Sequence, residues 1–428
     1  MQAARRNLLE IIPEIATRQP MVSGRTGARW HMVMDPGAIR RILKDRVDDY
    51  PKSLVTKLIL APAIGESLFI AEGAHWHWQR RAAAPAFAPR HVEALAPVMT
   101  AAAERATERI GRAAGGVANL HDEMVAATFE VISDVTFSGG GGIDRAAMHR
   151  AIDTYIAGVA RVSLLDVMGL PGWVPRPSRM GSGRVVRGMK RLADAAIVAR
   201  RAGGAGKVPD LLDLLLVAAD PETHRRMTPD ELRDNLLTFI VAGHETTALT
   251  LSWALYLCAF DPEVQERARA EARLVLGGRA ATAADVPRLP FIRQLVDETL
   301  RLYPPAAILS RTARTGDTLC GRKVRRGDTV MIPVYALHRS HLHWRNPDQF
   351  DPGRFADPAA VDRFAFLPFG GGPRICIGAA FALQEAVIIL GTLLARFRFA
   401  PVAGRDPVPV LILTLRPAGG VWLTVEQV

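Results

Sequence analysis

The spacing of apolar and polar residues along the chain is mainly helical. Apolar residues recur every three to four positions from Pro229 to about Ala259, and Thr228-Pro229-Asp230-Glu231 is a favourable helix start. Similar patterns predict further helices at Asp210 to Ala219, from Pro262 toward Gly277, at Phe291 to Tyr303 and at Ala379 to Arg396. These segments predict a mainly α protein.

Strand patterns are fewer and cluster in a few places. One strand is predicted at His31 to Met34, and several more, with turns between them, from Ile308 to Pro333. The segment from Val408 to Val425 predicts a hairpin that turns around Ala418-Gly419-Gly420, and Met1 to Pro13 predicts a short amphipathic helix. The sequence contains no internal repeat and no long linker, so we expect residues 1–428 to form a single domain with small sheets.

Composition and charge narrow the function classes. The chain is 49% hydrophobic and 23% charged, which is ordinary for a globular protein. Its formal net charge is +11, but no run of about five or six like charges occurs, which argues against nucleic-acid binding. An anionic membrane or an acidic protein partner would also suit this charge. No apolar run approaches the ~18–20 residues that span a bilayer, so we expect no transmembrane anchor.

Cysteine usage fits a reducing cytoplasm. The chain has three cysteines, Cys258, Cys320 and Cys376, and no Cys-x-x-Cys pair, so neither a disulfide framework nor a structural zinc site is expected. Cys376 lies in the segment Phe369-Gly-Gly-Gly-Pro-Arg-Ile-Cys-Ile-Gly378, directly before the predicted helix at Ala379. Glycines let backbone N–H groups approach a sulfur, and a helix N-terminus favours an anion. The segment therefore suits a thiolate metal ligand, and the alternative is an inert buried thiol.

The spacing Phe-x-x-Gly-x-Arg-x-Cys-x-Gly resembles the heme-binding signature of the cytochrome P-450 family, and every fixed position matches. The resemblance continues in order from about His31 to the C-terminus. It implies the mainly α cytochrome P-450 fold, with an α-rich region and small β-sheets around a buried heme b. It also implies that Cys376 is the thiolate ligand of the iron and that Phe369, Arg374 and Gly378 contact the cofactor.

The long predicted helix contains a second candidate site. At 3.6 residues per turn, Phe239, Ala242 or Gly243, and Thr246 share one face, and small residues there let a flat ligand come close. Thr246 can donate a hydrogen bond to the Ala242 carbonyl, which would bend the helix and open its hydrogen-bond ladder. Glu245 and Thr246 are an acid and an alcohol suited to proton relay, the alternative being a packed helix contact with a surface glutamate. The resemblance implies that Thr246 is the oxygen-activating alcohol and Glu245 its acid partner.

Two groups of charged residues complete the resemblance. Trp76 and Arg80 are similar to the tryptophan and arginine that bind a heme propionate in the family, and Arg311 and Arg374 stand where further propionate ligands are expected. The resemblance also implies a buried structural triad that supports the cysteine segment. Its members here are Glu298, Arg301 and Arg354, and Gly353 replaces the usual acidic residue before Arg354.

The resemblance implies a monooxygenase that inserts one atom of O₂ into a hydrophobic small molecule. Electrons are expected from a separate, acidic ferredoxin or flavodoxin with its reductase, because no fused reductase module is recognisable. The loop between Pro51 and Phe69 is expected to cap the substrate pocket. The residues expected to line the pocket are Phe239, Ala242, Ile308, Leu309, Leu411 and Ile412. The alternatives are a heme-binding sensor that oxidises nothing and a peroxide-driven oxygenase.

Overall fold

The computed structural model describes residues 7–137, 145–155, 182–204 and 209–428. Most of this part of the chain is helical, which confirms the predicted mainly α class. The helices are α1 (Pro36–Arg40), α2 (Leu54–Ile64), α3 (Gly73–Ala83), α4 (Pro89–Ala94), α5 (Ala96–Gly111), α6 (Leu120–Phe137), α7 (Arg145–Thr154), α8 (Ser182–Gly203), α9 (Leu211–Val217), α10 (Pro229–Phe260), α11 (Pro262–Leu276), α12 (Pro290–Leu302), α13 (Val334–Leu337) and α14 (Ala379–Arg396).

The long helix α10 runs through the middle of the helical core. It begins at a capping box in which Thr228 and Glu231 satisfy each other's backbone N–H groups. Asp261 caps the next helix, α11, which ends at Gly277 in the left-handed conformation. The helix α10 packs against α6, α8, α12 and α14, so most of its side chains are buried. Its central position makes it a rigid support for one wall of a site.

The strands form small sheets at the periphery of the helical core. They are β1 (Met21–Thr26), β2 (Ala28–Val33), β3 (Val117–Asn119), β4 (Leu309–Thr312), β5 (Asp317–Leu319), β6 (Arg322–Val324), β7 (Thr329–Ile332), β8 (Phe397–Pro401), β9 (Val408–Leu411), β10 (Leu415–Ala418) and β11 (Trp422–Gln427). The largest sheet has the order β1-β2-β7-β4, in which β2 and β7 are parallel and place His31 opposite Val330. The other sheets are β3-β11-β8 and the hairpins β5-β6 and β9-β10.

The C-terminal segment does form a hairpin, but the predicted position of its turn, Ala418-Gly419-Gly420, is wrong. The chain reverses at Ile412 to Thr414, where β9 pairs with β10 and Leu411 faces Leu415. Gly419 and Gly420, with φ of 91° and 82°, instead lead the chain into β11, which pairs with β8 and β3. A Cβ at Gly420 would lie 2.7 Å from the Asn119 side chain, so the glycine allows a close approach between sheets and does not form a hairpin turn.

Other expectations for local structure also need correction. Within the described residues, the predicted N-terminal helix is reduced to the 3₁₀ turn Leu8–Ile11, and a second turn, Glu14–Arg18, follows Pro13; residues 1–6 lie outside the described part. The segment from Pro51 to Phe69 is not a plain loop, because it contains α2. The strand β1 was not predicted, although it pairs with β2 along its whole length.

The helix α14 follows Cys376 and is part of the protein core. Among the described residues it is the one helix that is long and apolar enough to cross a membrane. Its residues from Glu385 to Ala395 are buried, and it packs against α5, α11 and α12. An apolar sequence is what such a central helix requires.

Candidate active site

The cysteine segment forms a tight loop at the N-terminal end of α14. The backbone N–H of Cys376 donates to the Phe369 carbonyl at 2.9 Å, which closes the loop onto its own start. The N–H of Gly378 is directed at the Cys376 sulfur, and the Gly378 carbonyl accepts the first hydrogen bond of the helix from Ala382 at 2.9 Å. The sulfur is therefore held at a fixed place by backbone geometry.

Two glycines of this loop have left-handed backbone conformations, Gly370 with φ of 73° and Gly372 with φ of 68°. They differ in their surroundings. A Cβ at Gly372 would lie 2.0 Å from the backbone oxygen of Leu43, whereas a Cβ at Gly370 would meet nothing within 4 Å. The loop is therefore packed directly on the segment that follows α1, and only glycine fits at position 372.

The surroundings of Cys376 shift the pKa of its thiol in opposite directions. The sulfur is exposed on one side but otherwise surrounded by protein, and the resulting desolvation raises the pKa of the thiol. The N–H of Gly378 and the positive charge of Arg80 act in the opposite direction. A metal ion bound to the sulfur would favour the thiolate much more strongly than these groups do.

The predicted face of α10 has the expected small, accessible residues. Ala242 is exposed and Gly243 and Thr246 are half-buried, although the residues on the other faces of the helix are buried. The Thr246 hydroxyl donates to the Ala242 carbonyl at 2.8 Å, as predicted. The helix is nevertheless α-helical without interruption from Pro229 to Phe260, so the predicted opening of its ladder is not seen in this fully described helix.

Phe87 connects this helix to the cysteine loop. Its ring packs edge-on against Phe239 with centroids 5.0 Å apart, and it also lies 4.0 Å from the position of a Cβ at Gly378. Phe239 is on the same face of α10 as Ala242. The structure therefore places the sulfur loop and the small-residue face on two sides of one apolar neighbourhood.

Glu245 is buried, with 5% of its surface exposed, and not on the surface as the alternative interpretation required. Its Oε1 accepts a hydrogen bond from the Thr414 hydroxyl at 2.8 Å and forms an ion pair with Arg416. Thr246 bonds to the Ala242 carbonyl, so each member of the predicted relay has a partner of its own. Thr414 and Arg416 were missed from the sequence, because no local pattern relates them to a residue about 170 positions earlier.

The predicted propionate ligands Arg311 and Arg374 lie within a larger cluster of cations. Lys52 forms an antiparallel backbone bridge with Arg311, which puts both side chains on one face. The Glu72 carboxylate contacts Arg374, accepts from the Lys52 backbone N–H at 2.8 Å and lies 3.7 Å from Lys57. The Glu72 carboxylate also attracts Lys52 and Arg311, and the charge of Asp48 acts on Arg374. We call these four cations and Glu72 the cation ring.

Repulsion and burial act together within the cation ring. Desolvation, followed by repulsion from Arg374, lowers the pKa of Arg311 to about 10, and desolvation lowers the pKa of Lys52 well below its usual value. Buried charges are costly unless they are paired. The cation ring therefore suits further carboxylates, and the two propionates of a heme have this chemistry. Lys52 and Lys57 were missed, because isolated lysines carry no motif.

The predicted pair Trp76 and Arg80 lies on α3 between the cation ring and the sulfur. The Arg374 guanidinium lies over the Trp76 ring, 4.5 Å from its centroid, and donates to the Ala71 carbonyl at 3.0 Å. Arg80, one helical turn after Trp76, is close enough to Cys376 for the two to interact electrostatically. A thiol, a nearby cluster of cations and a face of small residues together fit a heme.

The three residues of the predicted triad lie together, with Glu298 and Arg301 fully buried and Arg354 partly buried. Arg301 donates to Glu298 at 2.7 and 2.8 Å, both side chains are fully buried, and Arg354 lies 3.4 Å from the same carboxylate. Burial raises the pKa of Glu298, and its hydrogen bonds with Arg301 oppose this shift. Gly353 causes no visible disruption, because its N–H donates to Asp351 at 2.9 Å.

His338 connects the triad to the cysteine segment. Its Nδ1 lies 3.1 Å from the Arg301 carbonyl, and its Nε2 lies 2.8 Å from the backbone N–H of Leu367, two residues before Phe369. The second contact requires Nε2 to be an acceptor, so the ring is neutral with its proton on Nδ1. Desolvation and the charge of Arg301 lower the pKa of His338 to about 3.

The structure brings together only some of the predicted substrate residues. Ile308 packs in one cluster with Leu411, whereas Phe239 belongs to the main helical core and Leu309 to the core beside the large sheet. Leu309 pairs with Ile332 across the strands β4 and β7. Ile412 lies at the tip of the β9-β10 hairpin and is half-buried.

Glu385, on α14, is a buried acid that the sequence did not single out. It is 1% exposed, interacts with the Thr247 hydroxyl, and its Oε1 has no hydrogen-bond partner among the described residues. Desolvation raises the pKa of Glu385 to about 8. The side chain is therefore mainly a neutral acid at pH 7.

The fold, the cysteine loop and the opposing face of α10 are those of a heme-thiolate protein. A family model described as cytochrome P-450 matches residues 14–424, and the chain therefore belongs to the cytochrome P-450 family. It is 34% identical over 412 residues to a protein of Mycobacterium tuberculosis described as cytochrome P-450 132, covering 92% of this chain and 87% of that protein. The chain is an oxidoreductase of the monooxygenase class.

Two further similarities agree with this assignment. The chain is 32% identical over 413 residues to the cyclooctat-9-en-7-ol 5-monooxygenase of Streptomyces melanosporofaciens, covering 93% of this chain and 86% of that protein. The crystal structure of the cytochrome P-450DA heme domain matches with a TM-score of 0.83 at 27% identity, covering 96% of this chain and 90% of that one. The predicted cytochrome P-450 fold is confirmed.

Proposed function

We propose that this chain is a monooxygenase for a hydrophobic small molecule, with Cys376 as the iron ligand and with Glu245 and Thr246 as the proton relay. The observation that carries the proposal is the placement of the Cys376 loop and the Ala242–Thr246 face around Phe87. A protein that only binds heme does not require an acid and an alcohol beside such a face. The reaction takes one O₂, two electrons and two protons, and yields an oxygenated product and water.

Each group of site residues would have a separate role. Cys376 would hold the iron, and the cations Arg311 and Arg374, with Trp76 and Arg80, would bind the heme carboxylates. The heme supplies activation of O₂ and insertion of one oxygen atom into the substrate. Ala242 leaves room for a flat group because it has no bulky side chain.

The proton path uses groups of α10. In this path Glu245 takes up a proton from solvent and then donates it, while Thr414 and Arg416 contact its Oε1. The Thr246 hydroxyl can turn from the Ala242 carbonyl, pass its own proton toward the pocket and receive the proton of Glu245. Both groups then return to their starting forms, and one proton has moved inward.

The substrate class and the partner are inferred from chemistry. The candidate pocket residues Phe239, Ile308 and Leu411 are apolar, which favours a hydrophobic substrate. The name of the Streptomyces relative makes cyclooctat-9-en-7-ol a suitable first probe. The net charge of +11 favours an acidic electron carrier, of the ferredoxin or flavodoxin type, in the cytoplasm. Arg374 does not contribute to a docking surface, because its side chain is 7% exposed.

The first experiment tests the iron ligand. Cys376→Ser should lose the thiolate signature in the spectrum of the reduced carbon-monoxide complex. An unchanged spectrum would mean that another residue binds the iron.

The second experiment tests the relay. Thr246→Ala should keep heme and the substrate-induced spin-state shift, but most NADPH supplied through a surrogate ferredoxin and reductase should form peroxide or water. An undiminished ratio of product to NADPH would remove Thr246 from the relay. Product formed from added peroxide but not from NADPH would identify a peroxide-driven enzyme.

A further inference from the structure

The β9-β10 hairpin is fixed to the helical core at its inner strand. The N–H of Leu415 donates to the Pro305 carbonyl at 3.0 Å, and the indole of Trp253, on α10, donates to the Leu415 carbonyl at 3.2 Å. On the outer strand, the N–H of Leu411 donates to the Asn7 side chain at 2.9 Å. The hairpin is thus held in a fixed position beside α10.

Two side chains of this hairpin bind Glu245. The Thr414 hydroxyl donates to Oε1 at 2.8 Å, and the Arg416 guanidinium contacts the same oxygen. The Glu245 side chain is 7% exposed and that of Arg416 is 29% exposed, so the contact runs from the protein interior toward solvent. Charge-assisted hydrogen bonds of this type are about twice as strong as neutral ones.

Further polar groups near this contact lie on α6 and α10 in the described part of the chain. The ring Nδ1 of His121 lies 3.0 Å from the hydroxyl of Ser252, which follows Glu245 by two helical turns. Glu245, Asp122 and Arg416 all act electrostatically on His121, but burial has the largest effect and lowers its pKa. His121 is therefore neutral, and Arg416 is the cation that contacts the Glu245 carboxylate.

We propose that Arg416 and Thr414 are positioning residues that hold Glu245 for proton delivery. This inference rests on the proposed function of Glu245 and Thr246. Without the two hairpin contacts the glutamate could adopt several rotamers, and only some would orient its carboxylate for proton transfer. The hairpin selects one of them and leaves the carboxylate in reach of solvent along the partly exposed Arg416.

A purely structural role of the same ion pair would be to attach the hairpin to α10. The two roles differ in what they change. Loss of attachment would lower stability or substrate binding, whereas loss of positioning would slow the step that consumes protons and leave heme binding intact. The readouts therefore have to include proton transfer itself.

The experiment compares Arg416→Met, Arg416→Lys and Thr414→Val with wild type in the heme-loaded protein. NADPH consumption through a surrogate ferredoxin and reductase is measured in H₂O and D₂O, with O₂ alone and with cyclooctat-9-en-7-ol. Loss of a residue that orients a metal ligand typically costs about 10- to 100-fold in activity, and we expect a residue that orients an acid to have an effect of similar size. We expect a loss of this size for Arg416→Met, a smaller loss for Thr414→Val, partial recovery in Arg416→Lys, and a larger solvent isotope effect in the slowed variants.

A matched control is Arg405→Met, because Arg405 lies over the Trp422 ring at 4.6 Å and has no contact with Glu245. This variant should behave as wild type. The combination of Glu245→Gln with Arg416→Met should be no slower than Glu245→Gln alone, because the two residues act as a unit. Fully additive losses would overturn the proposal.

The positioning proposal would also be overturned by unchanged NADPH consumption and an unchanged isotope effect in Arg416→Met. If that variant does not fold, the same measurements on Thr414→Val decide. The outcome for Thr246→Ala separates the two levels of inference. If Thr246→Ala uncouples turnover but the hairpin variants do not, the relay stands and the positioning role is wrong. If Thr246→Ala has no effect, the relay itself is wrong.

Discussion

Substitution of Gly372 by alanine should displace the cysteine loop, and Gly370→Ala provides an internal standard. Both glycines have φ near 70°; Gly370 lies at the end of a turn, and Gly372 is the first residue of the 3₁₀ turn Gly372–Arg374. An L-residue in this conformation costs about 1–2 kcal/mol, and the entropic effect of the new methyl group on the unfolded chain is the same at both positions. The backbone cost therefore cancels when the two variants are compared.

The remaining difference is the contact with Leu43. A Cβ at Gly372 would lie 2.0 Å from the Leu43 oxygen, and contacts below 3.0 Å are essentially never found, so the loop must move by about 1 Å. Overpacking of this kind adds about 1–3 kcal/mol. After the entropic gain of about 0.4–1 kcal/mol is subtracted, we expect Gly370→Ala to lose up to about 1.5 kcal/mol of unfolding free energy and Gly372→Ala to lose about 1–3 kcal/mol more.

The assay is guanidinium unfolding together with the heme-to-protein ratio and the spectrum of the reduced carbon-monoxide complex. Gly370→Ala should retain heme with the thiolate signature, whereas Gly372→Ala should retain less heme or lose the signature. Equal unfolding free energies and equal heme content in the two variants would refute the argument that the Leu43 contact positions the cysteine loop.

Three further predictions concern charge. The pKa of Glu385 is about 8 in the folded protein and 4.5 is its ordinary value, so the wild type should become less stable as pH rises between these values. The unfolding free energy of Glu385→Gln should therefore gain about 1.4 kcal/mol on that of the wild type for each unit of rising pH, as measured by unfolding across the range. A constant difference would contradict the buried neutral acid. His338 has its pKa at about 3 against an ordinary 6.5, so the folded state should lose stability as pH falls from 6.5 toward 3, and its NMR signals should not titrate above about pH 4; titration near pH 6 would exclude the bond from Leu367. Reduction by an acidic carrier should slow markedly between low and high salt while substrate affinity hardly changes, since exposed charges are screened beyond about 8–10 Å; a salt-independent rate would show that the net charge of +11 does not serve docking.

The sequence predicted the parts of the site that depend on local spacing. The cysteine loop, the small-residue face of α10 and the pair Glu298 and Arg301 are each contained within a few residues, so their patterns are readable without the fold. The helix bounds were also close, because capping residues such as Thr228 and Asp261 occupy defined positions.

The parts that could not be predicted depend on long-range contacts. Glu245 is paired with Arg416, and Arg311 lies opposite Lys52, at separations that no periodicity encodes. The C-terminal hairpin failed for a related reason. Gly419-Gly420 is a good local turn signal, but pairing of the following strand with β3 and β8 determines where the chain goes.

The cation ring makes the stability of the segment around Lys52 depend on heme binding. Lys52, Arg311 and Arg374 lie together with Glu72 as the carboxylate between them, so their mutual repulsion weakens the attachment of the segment around Lys52 to the sheet edge at β4. Any ligand that brings carboxylates binds the folded form alone and stabilises it by mass action. Loss of heme should therefore leave the contact between the Lys52 segment and β4 less stable than it is in the heme-loaded protein.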